Sequence, residues 1–456
     1  MTPQRFDIAV IGAGIVGIAC AYYLALRQRP GRIVLVERGE PMGLTSAASG
    51  ENYRNWWPHP VMTAFTDHSI DLMEQLARDS GDRIHMTRRG YALATRAAKP
   101  DKLLRELHAG YGSEGAARIR VHETGAAATY RPADAADWRE APDGVDVLSG
   151  KALVRRHFRS FAPDIETVLH IRRTGGIGGH GLGSLMLETV RAKGGSLLAG
   201  RLVGIEHGEG FLLRLKAAEG PKSLVADVVV NAAGPHLAEI AAMLGETLSV
   251  ANVFQQKIAF PDHEGAIPRD LPFSIDLDGG TIDWTEEEKA VLREDQGTRW
   301  LAAPMPGGIH CRPDGSGAGK WIKLGWAFNR TPSQPVAEPP TDPQFPEIVL
   351  RAASRLNPSL KAYYGRLPRQ MAHYGGYYTM TKENWPLIGP LQVDGAFVAG
   401  ALSGFGTMGA CAAGALIARW VRGEPQPAFA KALSLARQAD RTLMASLLAS
   451  ANKGVL

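Results

Sequence analysis

Gly12, Gly14 and Gly17 stand at the spacing Gly-x-Gly-x-x-Gly, and an acid, Glu37, follows the last of them by 20 residues. Residues of these types at this spacing can hold a dinucleotide. Gly12 permits a tight turn, Gly14 lets a pyrophosphate come against the backbone, and Gly17 lets a helix pack on the preceding strand. Ile15 and Val16 open that helix, whose free N–H groups and dipole favour phosphate. A carboxylate at Glu37 suits two ribose hydroxyls and not a 2′-phosphate.

A second chemistry-bearing stretch runs from Pro41 to His59. Thr45, Ser46, Ser49 and Gly50 are small groups that let a chain pass close to a ligand. Arg54, Trp56, Trp57 and His59 follow, as either a ligand wall or a polar loop with packed tryptophans. Two more small-residue turns come later, Asn231-Ala232-Ala233-Gly234-Pro235 and Ser403-Gly404-Phe405-Gly406-Thr407-Met408-Gly409. Each follows a strand-type run, at the strand ends where open α/β sheets bind ligands. The later turn can also present N–H donors to a ring or a phosphate.

These residues need strands and helices to hold them. Ile8–Ile11 reads as a buried parallel strand, Ile15–Leu26 as a helix and Arg32–Val36 as a second strand. Residues 63–80 read as a helix, and 90–165 are mixed. Gly181–Lys193 reads as a helix, with strands at Gly195–Leu198, Leu202–Ile205, Phe211–Leu215 and Val225–Val230. The block 250–365 is rich in Pro, Gly and Trp and carries Lys257, Arg299, His310, Arg312, Lys323 and Arg330. Within it Ile309–Arg312 and Trp321–Trp326 suit antiparallel strands, and 331–346 a Pro-rich surface loop. Ala396–Gly400 reads as a strand, and the tail from Ala428 as a surface helix. No repeat of 20–50 residues is present.

The chain has 456 residues, enough for two domains, and 45% hydrophobic residues, enough for a sizeable core. A formal net charge of +5 and a pI near 9.0 bias it mildly toward anionic ligands. No basic run occurs, which argues against nucleic acid. Cys20, Cys311 and Cys411 are too scattered for zinc or a CxxC pair. So few cysteines fit a reducing compartment, and the first strand begins close to Met1, so a cytoplasmic protein without a signal peptide is expected. Ala396–Ala418 is uncharged over 23 residues, but its glycines favour strand, turn and buried helix over a membrane span.

Blocks 6–54, 175–205, 225–235 and 375–418 together resemble the FAD-dependent amine oxidoreductases of the D-amino-acid oxidase superfamily. Sarcosine oxidase, dimethylglycine dehydrogenase, glycine oxidase and D-amino-acid dehydrogenase belong there. The resemblance implies an α/β (α+β overall) protein with a discontinuous Rossmann-type FAD domain interleaved with an antiparallel-sheet substrate domain. The FAD domain would take 1–88, 166–249 and 369–456, and the substrate domain 89–165 and 250–368. Gly12, Gly14 and Gly17 would then face the pyrophosphate, Glu37 the ribose and Arg38 the adenine. Thr45, Ser46, Ser49 and Gly50 would run along the diphosphate and ring. Val203 would meet the adenine through its backbone, Ala233 and Gly234 would line the same half, and Gly404, Gly406, Thr407 and Met408 would approach the pyrimidine end of the flavin.

Three comparisons within the superfamily are sharper. Ile322-Lys323-Leu324-Gly325-Trp326 is similar to the Leu-Lys-Leu-Gly-Tyr segment of monomeric sarcosine oxidases, whose lysine assists reaction with oxygen; the histidine that follows there is Ala327 here. Tyr378-Thr379-Met380-Thr381 is similar to the stretch after their covalent-flavin cysteine, and Gly376 occupies that cysteine's position. Small residues at 45–50 replace the histidine anchor of dimethylglycine dehydrogenase, so non-covalent FAD is implied. The arginine that clamps the substrate carboxylate in D-amino-acid oxidases is missing, since the region reads Gly375-Gly376-Tyr377-Tyr378. Arg54, Arg312 and Arg330 are the alternatives. Trp56, Trp57, Tyr377 and Tyr378 are either an aromatic wall for an alkylammonium or core packing.

The implied reaction is hydride transfer from a carbon beside nitrogen to flavin, with hydrolysis of the imine. The partners are a small amine or amino acid and either oxygen or another acceptor. The rival readings are a D-amino-acid or opine dehydrogenase serving a quinone or partner subunit, and a flavin-containing assembly factor with little catalysis.

Overall fold

A computed structural model describes residues 3–27, 32–123, 130–133, 138–315 and 319–449. The first strand, Gln4–Ile11, lies between Ile33–Glu37 and Gly220–Asn231, parallel to both. Its apolar run is continuous because both faces are covered. Ile8 and Val10 pack with the helices Ile15–Ala25 and Gly406–Val421. Phe6, Ala9 and Ile11 point the other way, toward Phe211, Leu213 and Leu237. The two helices cross closely, since a Cβ on Gly414 would lie 2.5 Å from the Ala19 carbonyl oxygen.

This sheet has eight strands, and its main path runs Arg201–Gly208, Gly210–Ala217, Gly220–Asn231, Gln4–Ile11, Ile33–Glu37, Ser196–Ala199. Ala396–Gly400 adds in parallel beside Gly220–Asn231 and pairs with Leu387–Pro390. All the crossover turns therefore open at one edge.

The second sheet has nine strands, largely antiparallel. Ala372–Thr381, Val250–Pro261, Trp321–Gly325, Ile309–Pro313 and Phe273–Asp276 are successive neighbours, followed by Tyr91–Thr95, Thr167–Ile171, Val145–Ser149 and Ile119–Glu123. Strand alternation splits the central strands cleanly. Ile258, Phe260, Ile322, Leu324, Ile309 and Cys311 face an apolar core capped by the helix Phe345–Ala353. Lys257, Lys323, His310 and Arg312 occupy the opposite face.

The expected helices appear at Pro60–Ser80 and Gly179–Ala192, and the expected strands appear with ends shifted by a few residues. Thr167–Ile171 and Ala372–Thr381 belong to the second sheet, although the boundaries expected at 166 and 369 grouped them with the first. Ala372–Thr381 pairs with Val250–Pro261, far away in sequence, and Thr167–Ile171 lies between Tyr91–Thr95 and Val145–Ser149, so local pattern did not say which sheet either joins. The single tail helix is corrected to short pieces, Ala430–Leu433 and Arg441–Ala449, with a 3-10 turn between; its expected end beyond residue 449 lies outside the described residues. Ala396–Ala418 divides into strand, turn and buried helix, and among the described residues no helix is long and apolar enough to cross a membrane.

The tail is locked by a buried ion pair. Arg437 donates from Nε to Glu383 at 2.8 Å and from Nη1 to the Pro386 carbonyl at 2.7 Å, with its side chain fully enclosed. Removing one partner strands the other charge, so Arg437→Met is expected to cost about 3–5 kcal/mol. Urea unfolding checks this, and a midpoint equal to wild type would refute it.

Candidate active site

The turns at the edge of the first sheet and the lysine-bearing face of the second enclose a cavity of ≈ 380 Å³. Gly12 takes φ +100°, and a Cβ there would lie 2.6 Å from the Ala232 carbonyl oxygen, so only glycine fits this turn. Gly14 is the N-cap of Ile15–Ala25 and has no side chain of its own there, so the helix N-terminus, whose first N–H goes to Ser46, reaches the cavity wall. Glu37 closes the turn by accepting from Ala13 N–H at 2.7 Å and from Gly39 N–H at 2.8 Å. Gly200, Arg201, Leu202, His236 and Glu239 complete this end.

Small side chains clasp the middle of the cavity. Ser46 Oγ accepts from Ile15 N–H at 3.0 Å, Thr45 Oγ1 bonds Tyr377 N–H at 3.2 Å, and Ser49 Oγ meets Thr407 Oγ1 at 2.8 Å. Three distant segments are thereby held together. Leu44, Ala401 and Ser403 line the cavity at positive φ without being glycine. Strain of this kind costs of order 1–3 kcal/mol each and collects at functional sites. At the inner end a Cβ on Gly376 would lie 3.2 Å from Ala48 Cβ, and one on Gly404 would lie 2.5 Å from Tyr378 Cζ. A helix N-terminus at the cavity wall, glycine-thinned walls and an acid at one end fit a dinucleotide such as FAD.

The inner end carries buried charge. Lys257 lines the cavity and donates to the Ala48 carbonyl at 3.0 Å. Arg312 Nη2 donates to the Gly50 carbonyl at 3.0 Å and pairs with Asp314 at 2.7 Å and with Glu51 at 3.9 Å. Lys323 Nζ lies 3.5 Å from Asp314 and 3.8 Å from Glu51. Burial, with Lys323 and Arg312 nearby, pulls Lys257 down to about 7 despite the opposing Glu51. Burial and Arg312 lower Lys323 as well, against the pull of Asp314 and Glu51. Burial first, then Lys257, holds His310 down at about 3, so its ring is neutral. Asp314 is pushed up by burial but ends below its ordinary value because Arg312 and Lys323 outweigh that effect. Gly325 makes this crowding possible, since a Cβ there would lie 2.4 Å from His310 Nε2 and 3.1 Å from Lys257 Cγ.

Of the residues expected at a cofactor, Gly12, Gly14, Ile15, Val16, Glu37, Arg38, Thr45, Ser46, Ser49, Gly50, Ala233, Gly234, Gly376, Gly404, Gly406 and Thr407 line this one cavity. Three are placed elsewhere. Gly17 packs, since a Cβ on it would lie 1.9 Å from the Gly12 carbonyl oxygen. Val203 turns its side chain outward, 52% exposed, beside a register shift between Leu202 and Gly204, and Leu202 lines the cavity; the outward side chain leaves the expected backbone contact open. Met408, in the first turn of Gly406–Val421, points into the core.

The expected substrate residues divide similarly. Tyr377 and Tyr378 line the cavity. Tyr377 does so with its backbone side, for its hydroxyl accepts from Val336 N–H at 3.0 Å behind the sheet. Arg54 is buried against Trp57, 4.3 Å from the ring, and neither lines the cavity. Trp57 packs edge-on to Phe405 and Trp56 sits in a separate core, so both are packing residues. Arg330 is exposed and bonded to the Ala327 carbonyl. Lys323 does not line the cavity; Lys257, opposite Gly325 on the neighbouring strand, does. Lys257 carried a signal, as a lone cation in the apolar Ile258–Phe260 end of a strand, but no motif marks it.

Fold and cavity define an α/β dinucleotide-binding protein with a second, antiparallel sheet closing its site. The chain belongs to the FAD dependent oxidoreductase family, whose model matches residues 7–420. No curated protein sequence matches it. Among solved structures, glycine oxidase from Geobacillus kaustophilus is similar at 18% identity and TM-score 0.70, covering 95% of this chain and 99% of that one. L-proline dehydrogenase from P. horikoshii is similar at 16% and 0.70, covering 96% and 99%. Iminodiacetate oxidase from Chelativorans sp. BNC1 is similar at 17% and 0.67, covering 94% and 98%. At these identities the likeness establishes the fold.

Proposed function

We propose that this protein oxidises a C–N bond in a secondary amine or N-alkyl amino acid, with FAD held non-covalently along the cavity. The observation that carries the reading is the cavity's inner end, where glycine-thinned walls meet a phenol face and buried cations in a member of this family. Bound FAD supplies the two-electron acceptor for a hydride. The chain's own residues position and enclose. Gly14 and the helix N-terminus take the pyrophosphate, Glu37 the ribose, and Gly376 and Gly404 admit a flat ring. Tyr378, whose phenol packs against Gly404, offers an aromatic face to the substrate's alkylammonium group. The strands behind exclude water and fix the reacting C–H. The similar amine and amino-acid enzymes support the same reading.

An anaerobic screen of amines for flavin bleaching tests it. N-alkyl amino acids are expected to bleach the flavin, and a holoprotein that no amine bleaches would overturn the reading. Peroxide release marks an oxidase; turnover only with an artificial acceptor marks a dehydrogenase. Acid precipitation is expected to release all the yellow colour, because Gly376 and the small residues at 45–50 offer no thiol or imidazole for a covalent flavin bond. Colour that stays in the pellet would refute non-covalent binding.

A further inference from the structure

Three cations and two carboxylates meet beneath the inner end of the cavity. Arg312 and Lys323 share Asp314 and Glu51. Lys257 is the member of this group that is not ion-paired to a carboxylate among the described residues, and it is the member that lines the cavity. Its hydrogen bond to the Ala48 carbonyl takes one of its three N–H directions, and among the described residues the other two remain for a ligand. Tyr378, Gly376 and Ala48 line the same cavity, so Lys257 borders a chamber and not packed core.

An ammonium without a counter-charge in such a place is costly to hold. The cost vanishes when a ligand brings the missing negative charge. We infer that Lys257 anchors the acid group of an anionic substrate, an amine that carries a carboxylate, and so sets a preference for amino acids over simple amines. This rests on the C–N reading above. It also assigns the clamp that the Gly375–Tyr378 segment lacks to a different strand, Val250–Pro261. Lys323 and Arg312 act behind it: their charges weaken its hold on a proton until the anion arrives, and Glu51 counters them.

The groups facing Lys257 make the pH dependence definite. Arg312 and Lys323 are cations, His310 is neutral, Glu51 is an acid whose charge reaches it, and Tyr374 sits opposite it on the adjoining strand. Lys257, at about 7 without ligand, is charged below that pH and neutral above it. Carboxylate affinity is therefore full in mild acid and falls as pH rises past 7, by up to about tenfold per unit.

The test is binding of butyrate, beside its uncharged amide butyramide, to the oxidised holoenzyme, read from the visible flavin spectrum. Neither probe has a C–N bond to oxidise in the proposed way. Wild type is expected to bind butyrate better than butyramide and to lose that advantage above pH 7. Lys257→Met is expected to weaken butyrate roughly tenfold or more, leave butyramide unchanged and flatten the pH profile, while Lys257→Arg keeps the preference. Equal butyrate affinity in wild type and Lys257→Met overturns the assignment, as does a wild type that binds butyrate no better than butyramide. If Lys257→Met does not retain FAD, the wild-type profile and Lys257→Arg decide: a profile flat across pH 7 overturns it. The two readings fail separately. Lysine-dependent butyrate binding in a protein that no amine bleaches removes the C–N reading and keeps the subsite; amine bleaching without charge-dependent butyrate binding does the reverse.

Discussion

Gly14→Val is expected to yield folded protein that purifies without FAD, whereas Gly17→Ala is expected to yield little folded protein at all. The two glycines belong to one motif but meet different things. A Cβ on Gly14 would come within 3.1 Å of Ser46 Oγ alone, the end of a small rotatable side chain, so the protein itself can absorb it. Valine branches would instead fill the approach to the N-terminal end of Ile15–Ala25, where the pyrophosphate must come against backbone. A Cβ on Gly17 would lie 1.9 Å from the Gly12 carbonyl oxygen, inside the contact between the first strand and first helix. No rotamer relieves a clash with backbone, and that helix also packs against Gly406–Val421. The ratio of flavin to protein absorbance, with circular dichroism as the folding control, separates the two. Gly14→Val with full flavin would show that the phosphates do not pass this turn.

What could be read from residue order alone followed the range of the interactions. Gly12 to Glu37 was legible because strand, turn, helix and acid lie within one short stretch, and each residue's role depends on neighbours. The glycine turn at 403–409 was legible for the same reason. The direction of the Val203 side chain was not, because it depends on a register shift against the strand Gly210–Ala217. Thr167–Ile171 and Ala372–Thr381 were not, because their sheet is chosen by partners that alternation cannot name. The lysine at the cavity shows this most clearly. Lys323 and Lys257 both alternate onto the inward face of the second sheet, and a motif singled out Lys323. Only the pairing of Lys257 with Gly325, and of Lys323 with Arg312, shows which ammonium reaches the cavity and which is held by carboxylates.

That placement changes the expectation for oxygen. Reoxidation of reduced flavin is expected to slow by roughly a hundredfold in Lys257→Met, the size seen when a preorganised charge-stabilising donor is removed, and far less in Lys323→Met. Oxygen reduction passes through superoxide-like negative charge, which a fixed cation in a dry site stabilises much more than water does. Lys323 is already engaged by Asp314 and Glu51, so little of its field is left for the cavity. Lys257 is not, and once product has left, its ammonium faces the same chamber empty of the substrate's acid group. The pH dependence follows with its sign: the cation is present below about 7 and lost above, so wild-type reoxidation slows as pH rises. Lys323→Met removes one of the charges that depress Lys257, which moves that slowing to higher pH. Stopped-flow mixing of the photoreduced enzymes with oxygen, across pH, is the measurement. Equal rates in wild type and Lys257→Met would remove the role. A greater loss in Lys323→Met would return it to the motif lysine. Slow reoxidation in all three would make the protein a dehydrogenase whose electrons leave by another acceptor.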